Sequence, residues 1–594
     1  MNQPIYQTFA DSADKYADRT ALRYQKGGRY AGMTYRELRT AVDALASSLG
    51  KLGIRKGDTV AIFSYNRPEW AIADLAVLKL GGIVVPIYHM PGHTLPAASV
   101  QYILNDSRVK LIFAENAELL SVVAQVRSNI PDLRSVVVFD EAGVSDPGFL
   151  KMSDLVRTAA PVREESAAVA LEDMATIVYT SGTTGEPKGV VLSHKNIVTD
   201  AFLAIDKYHF SPEDVVISYL PLGHMFERTC GYYAVLFGGG AIGYARDLAT
   251  VAKDAEAIRP TILLAVPRVI EKVYNEAIKK IEGGSPFKRG LVATAVKNLN
   301  DYANLKYRKQ GVPLGLKIKR AVYDRLVARK FRKLGGGRIR LIVVGGAPLN
   351  RQIAKIVYIF GYNIVEGYGL TETAPVVACN GVEDNRLGTV GKPFPGIEVR
   401  IGENDEIMIR GPNVMLGYHN KPEETAKVID AEGWFHTGDQ GRFDEQNNLV
   451  ITGRIKELIV TSGGKKIPPS AIEARISISP FIDQVMLCGD KRNFLTALIV
   501  PARTAIENYA HAHGIPYETY PGLLDRTEFT DLIKGEIDRA TDDLPSYEKV
   551  KAFVLLDDGF TVENGLMTPT LKLKRRQITE KYETLVDGMY GSRT

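Results

Sequence analysis

The chain is 594 residues long, 45% hydrophobic and 24% charged, too long for one domain and with the make-up of a folded globular protein. Its net charge of +5 lacks the strong basic excess of a nucleic-acid binder, so no nucleic acid partner is expected. Three cysteines, Cys230, Cys379 and Cys488, are odd in number and far apart, which excludes a disulfide framework or a cysteine-built metal cluster and fits a reducing compartment.

In chain order, Tyr35 to Lys51 reads as a helix, Val60 to Phe63 as a strand and Trp70 to Leu80 as a helix. Gly82 to Ile87, Lys110 to Phe113, Ser135 to Phe139, Thr261 to Val266 and Arg340 to Val344 read as further strands. Alternation of this kind predicts layered α/β structure. From Lys392 to Arg410 the pattern shifts to short alternating strands. Met1 to Thr20 is polar, so no secretory leader is expected. Ala71 to Met90 contains Asp74 and Lys79, and Gly231 to Tyr244 is too short, so no membrane-spanning helix is expected. These features predict a cytoplasmic protein.

The stretch Tyr179-Thr180-Ser181-Gly182-Thr183-Thr184-Gly185-Glu186-Pro187-Lys188-Gly189 carries the most chemistry. It lies between two apolar, β-prone runs, Ala175 to Val178 and Val190 to Leu192. Glycines let backbone N–H groups approach phosphate oxygens, hydroxyls add short donors, and Lys188 supplies a point charge. A hairpin turn needs about two to five residues, not a run of this length. Proline before Lys188 and glycine after it exclude the Walker arrangement. A triphosphate-binding loop is expected.

Four further stretches follow in order: Glu366-Gly367-Tyr368-Gly369-Leu370-Thr371-Glu372-Thr373, Trp434-Phe435-His436-Thr437-Gly438-Asp439, Gly453-Arg454-Ile455-Lys456-Glu457, and Thr568-Pro569-Thr570-Leu571-Lys572-Leu573-Lys574-Arg575-Arg576. With the glycine loop they resemble, across nearly the whole chain, the adenylate-forming superfamily of acyl-CoA synthetases, luciferases and peptide-synthetase adenylation domains. The resemblance implies a large N-terminal layered α/β domain, residues 1–453, with a small β-barrel subdomain around Lys392 to Arg410. A small mobile α+β C-terminal domain, residues 454–594, would follow. The implied reaction joins a carboxylate to the α-phosphorus of ATP and then passes the acyl group to a thiol. Bringing two anions together makes charge neutralisation and alignment the main catalytic work.

On matching positions the resemblance implies that Thr180, Ser181, Gly182, Thr183, Thr184, Gly185 and Lys188 wrap the phosphates. Gly346, Ala347, Glu366, Gly367, Tyr368, Gly369 and Thr371 would lie against AMP, and Asp439 and Arg454 would bind its ribose. Glu372 with the Thr180 hydroxyl would hold Mg²⁺, which favours few protein oxygens. Lys188, Thr371, Glu372 and Lys572 form the implied catalytic set, and Lys456 sits at the hinge. Gly463, Gly464 and Lys465 would line the CoA tunnel, with Lys465-Lys466 standing where many relatives carry Glu-Asn.

The adenylation lysine has two registers. Lys572 places Thr568 four residues before and Arg575 and Arg576 three and four after, as in the family. Leu571 stands where the family usually has glycine, and Lys574 offers the other register.

Pro221-Leu222-Gly223-His224-Met225-Phe226-Glu227-Arg228 and Asn66-Arg67-Pro68-Glu69-Trp70 resemble signatures of the long-chain fatty acyl-CoA synthetase branch. His224, Met225, Phe226 and Tyr232 would border an acyl pocket, in which each buried methylene contributes ~0.8 kcal/mol. The implied partners are a fatty acid, ATP and CoA, with Mg²⁺. A fatty acyl-AMP ligase that loads a carrier protein shares the nucleotide motifs and is the alternative. A pseudoenzyme that merely senses fatty acid predicts loss of a nucleotide residue, yet Lys188, Glu372, Asp439, Arg454 and Lys572 are all present.

Two segments remain. Gly238-Gly239-Gly240-Ala241-Ile242-Gly243 matches a dinucleotide glycine pattern, but no amphipathic helix follows it. Between Pro286 and Arg340 sixteen Lys/Arg stand against two acids, Asp301 and Asp324, so the rest of the chain is net negative. Leu291, Val292, Ala295, Val296 and Leu299, and later Ile318, Val322 and Leu326, recur at helical spacing. A basic amphipathic surface predicts peripheral contact with anionic lipid at the inner membrane surface.

Overall fold

The computed structural model describes the whole chain except residues 1–2, 145, 147, 159–167, 181–185, 308–309, 334, 562–563, 569–571 and 592–594. An eight-stranded sheet runs in the order Gly417–Tyr418, Lys188–Ser193, Met174–Thr180, Ile83–Ile87, Thr59–Phe63, Leu111–Ala114, Ser135–Val138, Leu150–Lys151. A nine-stranded sheet runs Lys392–Pro393, Ala378–Cys379, Ile364–Tyr368, Leu341–Val344, Ile262–Ala265, Val215–Ser218, Ala241–Tyr244, Thr20–Lys26, Arg29–Thr34. Their central strands are parallel and apolar on both faces, as parallel strands covered on both sides must be.

Alternation along each strand divides the cores. Val60 and Ile62 join the central core, while Ala61 and Phe63 join an outer one with Ala97–Asp106 and Ala117–Val126. Leu341 and Val343 likewise face the centre, and Ile342 and Val344 pack outward on the helix Arg351–Ile359. Helices Tyr35–Lys51, Pro68–Lys79 and His194–Tyr208 fill the space between the sheets, giving five layers. Tyr35–Lys51 starts where a capping box permits: Thr34 Oγ1 accepts from Glu37 N at 3.2 Å and the Glu37 carboxylate accepts from Thr34 N at 2.7 Å.

Pro68–Lys79 is buried nearly all round, and the two charges that argue against a membrane span are both partnered. Lys79 pairs with Asp43 at 2.9 Å. Asp74 pairs with Arg228, and both side chains are fully buried. Tyr233 donates to Asp74 at 2.8 Å, while Arg228 donates to Thr176 Oγ1 at 2.8 Å and lies over the Trp70 ring. Arg228 is delivered by a wide π-type turn, Phe226–Tyr233, that runs on into Ala234–Phe237.

Two expectations change on folding. The short strands after Lys392 do not make a closed barrel. Lys392–Pro393 edges the nine-stranded sheet, and Glu398–Ile401, Glu406–Arg410, Phe435–Phe443 and Leu449–Arg454 form an open four-stranded antiparallel sheet. The glycine loop joins two strands paired directly to each other, Thr180 opposite Lys188, so it does close a hairpin, one with a long connection. The rejected dinucleotide pattern stays rejected: Gly239 packs against the Tyr16 ring and the triplet leads into the strand Ala241–Tyr244.

From Ile459 onward the chain builds its own body. Ile482–Cys488, Leu495–Pro501 and Val550–Leu555 form a sheet whose alternate residues feed two cores. Val485 and Leu487 face Pro469–Ile476 and Thr527–Ala540, while Met486 and Cys488 face Arg575–Lys581 and Glu583–Gly591. All three cysteines are buried and unpaired.

The buried pair makes a sharp prediction. Asp74→Ala strands a buried guanidinium and should cost ~3–5 kcal/mol in urea unfolding, whereas Asp74→Leu with Arg228→Met should recover much of that loss.

Candidate active site

The site is built where the edge of the nine-stranded sheet meets the open sheet. Asp439, on Phe435–Phe443, lies directly opposite Arg454, the last residue of Leu449–Arg454. Asp439 Oδ1 accepts from Arg454 Nε at 2.7 Å and Oδ2 accepts from the Tyr368 hydroxyl at 2.9 Å. The Asp439 backbone N–H donates to Thr437 Oγ1 at 3.0 Å, so the carboxylate is held by two partners and its backbone by a third. Nearby, Trp434 lies between the guanidinium groups of Arg400 and Arg410, 4.2 and 4.6 Å from its ring.

After Tyr368 the backbone passes through a tight place. A Cβ on Gly369 would run into the carbonyl oxygen of Pro375, so no other residue fits. A Cβ on Gly367 would lie 2.9 Å from Cys379 Sγ. The short 3₁₀ turn Thr371–Thr373 then presents Glu372. Its Oε1 accepts from the Tyr418 hydroxyl at 3.0 Å, and its backbone carbonyl accepts from Met415 N at 2.8 Å. Burial pushes the Glu372 carboxyl up, against the pull of Tyr418 and Arg454.

Lys188 reaches the same ridge from the other sheet. Its Nζ bonds Glu424 Oε2 at 2.6 Å and lies 5.0 Å from the Tyr418 ring centre. The hydrogen bond from Lys188, then that from Lys427, draws the Glu424 carboxyl down to about 2. Thr180 Oγ1 donates to the Lys188 carbonyl at 3.4 Å. Ser181, Gly182, Thr183, Thr184 and Gly185 lie outside the described residues.

Gly346, at φ +85°, and Ala347 form the turn after Leu341–Val344. The Phe226 ring packs on the preceding Gly345, which joins the segment expected at the acyl pocket to the nucleotide turn. Glu366 has a buried side chain whose Oε1 accepts from Gly388 N at 3.1 Å, and burial pushes its carboxyl up to about 7. Its carboxyl is thus occupied by the Gly388 loop.

The C-terminal body contributes Lys572. Lys572 N donates to Thr568 Oγ1 at 3.0 Å and Thr568 N donates back to the Lys572 carbonyl at 2.8 Å. One side of this lysine is open to water, yet protein atoms crowd its ammonium. Burial and then Arg454 depress its basicity, while Asp439, Glu457 and Glu372 oppose them. His224 feels the same lysine: burial and then Lys572 bring its imidazole down to about 4. Lys572, Glu372, Asp439, Arg454 and His224 therefore share one electrostatic neighbourhood. Lys574 is the residue before the helix Arg575–Lys581, and its N–H donates to Leu566. Arg575 pairs with Glu473 through both nitrogens.

Other expected residues sit apart. Met225 and Tyr232 are fully buried; Tyr232 stands edge-on to Trp70 and donates to the Ala71 carbonyl at 3.3 Å. Lys456 is exposed in the short turn Ile455–Glu457. Gly463, Gly464 and Lys465 form an exposed turn between Ile459–Val460 and Lys466–Ile467, with Lys465 Nζ 5.3 Å from the Tyr547 ring centre. Tyr418 and Glu424 were not expected at all. Their only signal is the pairing of Gly417–Tyr418 with Lys188–Ser193, a tertiary fact.

Family models for the AMP-binding enzymes and for the AMP-binding enzyme C-terminal domain match residues 9–419 and 456–594. The chain belongs to the AMP-binding, adenylate-forming enzyme family and is an ATP-dependent, AMP-forming ligase. Among its relatives is a long-chain-fatty-acid–CoA ligase of Mycobacterium bovis, 35% identical over 95% of this chain and 93% of that protein. A peroxisomal long chain acyl-CoA synthetase of Arabidopsis thaliana is 31% identical over 99% of this chain and 86% of its own length. In fold, the chain matches an anthranilate CoA ligase in complex with anthranoyl-AMP at TM-score 0.77, with 20% identity over 99% of this chain and 98% of the other. It matches the A domain of a carboxylic acid reductase from Segniliparus rugosus at TM-score 0.77, with 21% identity over 100% and 95% of the two chains. ATP and CoA fit this family as substrates.

Beside the site, burial pushes the Glu227 carboxyl from 4.5 up to about 8. The folded chain therefore holds a proton that the unfolded chain releases, and the stability this gives at low pH is lost as pH rises through about 8. Glu227→Gln should flatten the stability profile between ~pH 5 and ~pH 9 and be the more stable form at the alkaline end, as read by urea melts.

Proposed function

We propose that this chain is a long-chain fatty acid–CoA ligase. Fatty acid and ATP give acyl-AMP and pyrophosphate, and the CoA thiol then displaces AMP to give acyl-CoA. The observation that carries the reading is the Asp439–Arg454–Tyr368 cluster beside Glu372, with Lys572 of the C-terminal body placed within electrostatic reach of Arg454, Asp439 and Glu372. The names of relatives 30–35% identical over nearly the whole chain support the long-chain acid as substrate and CoA as acceptor.

In this reading Asp439 accepts from the ribose hydroxyls, and Arg454 both donates to the sugar and fixes Asp439. Gly346, Ala347, Gly367, Tyr368, Gly369 and Thr371 form the wall for the base and α-phosphate, with Glu366 bracing the strand from behind. Lys572 donates to the oxygens on which charge builds as the carboxylate attacks. Lys188 exchanges Glu424 for the phosphates that the loop from Thr180 to Gly185 surrounds. His224, Met225, Phe226 and Tyr232 belong to the acyl side.

The donor set fits Mg²⁺. Glu372 is a crowded carboxylate that forms no ion pair among the described residues and accepts from the Tyr418 hydroxyl, and Mg²⁺ is held through one or two protein oxygens and substrate phosphate. Glu372 and the Thr180 hydroxyl would hold it, and it would supply charge neutralisation. A division at 453/454 lets residues 454–594 swing about Lys456. That motion withdraws Lys572 and brings the Gly463-Gly464-Lys465 turn toward the thiol's path. Peripheral contact with the inner membrane surface, through the basic segment 286–340, completes the reading.

The test is ATP–pyrophosphate exchange over acids from acetate to arachidonate, with and without CoA. Long-chain acids should drive exchange and CoA should be consumed; exchange without CoA consumption points instead to an acyl-AMP ligase, and no exchange with any acid overturns the reading. Lys572→Ala should lower exchange by at least about 100-fold while thioester formation from supplied acyl-adenylate changes by roughly twofold or less. Lys574→Ala should leave exchange near wild type, and the opposite pattern would move the lysine's register.

A further inference from the structure

The helix Leu314–Tyr323 continues through a wide turn, Asp324–Ala328, into Arg329–Lys333. Its inner face is fully used. Tyr323, Val327, Ala328 and Phe331 pack with Leu299 and Ala303 of the helix Pro286–Tyr307 and with Phe360. Phe331 stacks on Phe360 at 4.6 Å, Arg320 lies 4.1 Å from the Tyr302 ring centre, and Arg332 grips Asp324 at 2.8 Å.

The opposite face is apolar as well, and no described residue covers it. Leu314, Ile318 and Val322 follow one another at steps of four residues and are 74%, 59% and 49% exposed. Phe287, Leu314 and Ile318 are the three most exposed large apolar side chains among the described residues, and all lie in this basic pair of helices. At about 100° per residue, the stripe spans about 80° of the helix, with Lys317 about 60° to one side and Lys319 about 60° to the other. Lys317, Lys319, Arg325, Arg329, Lys330 and Lys333 are exposed, and none forms an ion pair among the described residues. The periodicity in the sequence is real, but Ile318 and Val322 point away from the core.

We propose that this face docks on an anionic bilayer. The helix lies in the plane of the surface, Leu314, Ile318 and Val322 enter the acyl region, and the flanking lysines and arginines stay at the lipid phosphates. Charge chooses this occupant. A second copy of the chain meeting the face about a twofold axis would oppose cation to cation, whereas an anionic surface matches the excess of sixteen basic residues over two acids. No described helix is long and apolar enough to cross a membrane, so the contact is peripheral. The inference deepens the proposed membrane contact and rests on the proposed ligase reading only for its purpose, the supply of a lipid-dissolved acid.

Trp70 and Trp434 are both buried, so Ile318→Trp is a clean reporter. With phosphatidylcholine vesicles containing phosphatidylglycerol, its emission should shift to the blue and be quenched by brominated acyl chains, with little change on pure phosphatidylcholine. In co-sedimentation, Leu314→Ser with Ile318→Ser and Val322→Ser should lose at least about tenfold in partitioning, and Lys317→Gln with Lys319→Gln a similar factor together with much of the salt dependence. ATP–pyrophosphate exchange on detergent-dispersed fatty acid should be unchanged in every variant, which shows the fold intact. Undiminished partitioning of the triple variant overturns the inference, as does equal binding to neutral vesicles. A blue shift that needs no vesicles and tracks dimer formation in sedimentation assigns the face to self-association and also overturns it. Absent exchange in the wild type would sink the ligase reading and leave the vesicle result standing.

Discussion

The ion pair between Asp439 and Arg454 is the contact on which the rest of the site depends. It lies across two paired strands, so its geometry is set by backbone register. Arg454 is also the last residue before the turn that leads into the C-terminal body. One guanidinium therefore orders the acid beside it and marks the point from which Lys572 is carried. It also repels that lysine. Burial and Arg454 lower the basicity of Lys572, against the opposing pull of Asp439, Glu457 and Glu372. An incoming triphosphate and carboxylate would oppose that lowering and favour the lysine's charged form. On the proposed reading, closure of the two bodies is thus coupled to the presence of the anions that need it.

The buried Asp74–Arg228 pair ties the other side of the site to the middle of the fold. The wide turn that sends Arg228 into the central core begins at Phe226, whose ring packs on Gly345, and His224 lies just before it. A shift of the turn would move a buried charge, which costs far more than a shift of a surface loop. The segment from His224 to Arg228, which the proposed reading places on the acyl side, is thereby anchored by a fully buried ion pair. Glu227 and Arg228, adjacent in sequence, are both fully buried, one pushed toward its neutral form and one paired.

Much of this was legible in the sequence, and the failures have physical reasons. The strands from Val60 to Val344 stand within a residue or two of expectation, because each is an apolar run bounded by turn residues. The nucleotide motifs declared Asp439, Arg454 and Glu372 because such residues recur in fixed strings. Tyr418 and Glu424 carry no such string; they matter because one strand edge lies beside another, which spacing does not encode. The short strands after Lys392 looked like a barrel because alternation gives the face of a strand but not whether the last strand meets the first. Ile318 and Val322 gave the helix, and the structure adds that their stripe is the exposed one, since periodicity marks a stripe without saying what it faces.

The basic helix pair and the moving lysine place opposite demands on one chain, and the packing keeps them apart. The helix Pro286–Tyr307 rests on Ile359 and Phe360, at the C-terminal end of the helix Arg351–Ile359, within the large body. The N-terminal end of that same helix meets the C-terminal body, where Asn350 caps it through Gln352 N at 2.8 Å and also donates to the Ala474 carbonyl at 2.9 Å. A surface that docks through Leu314 to Lys333 would therefore hold only the large body. The connection to the other body at this point is that side-chain amide and the packing of Ile478 on the core around Leu349 and Ile353, a small contact. On the proposed reading, residues 454–594 turn while the large body stays on the lipid surface, as a two-step ligase with a membrane-dissolved substrate requires.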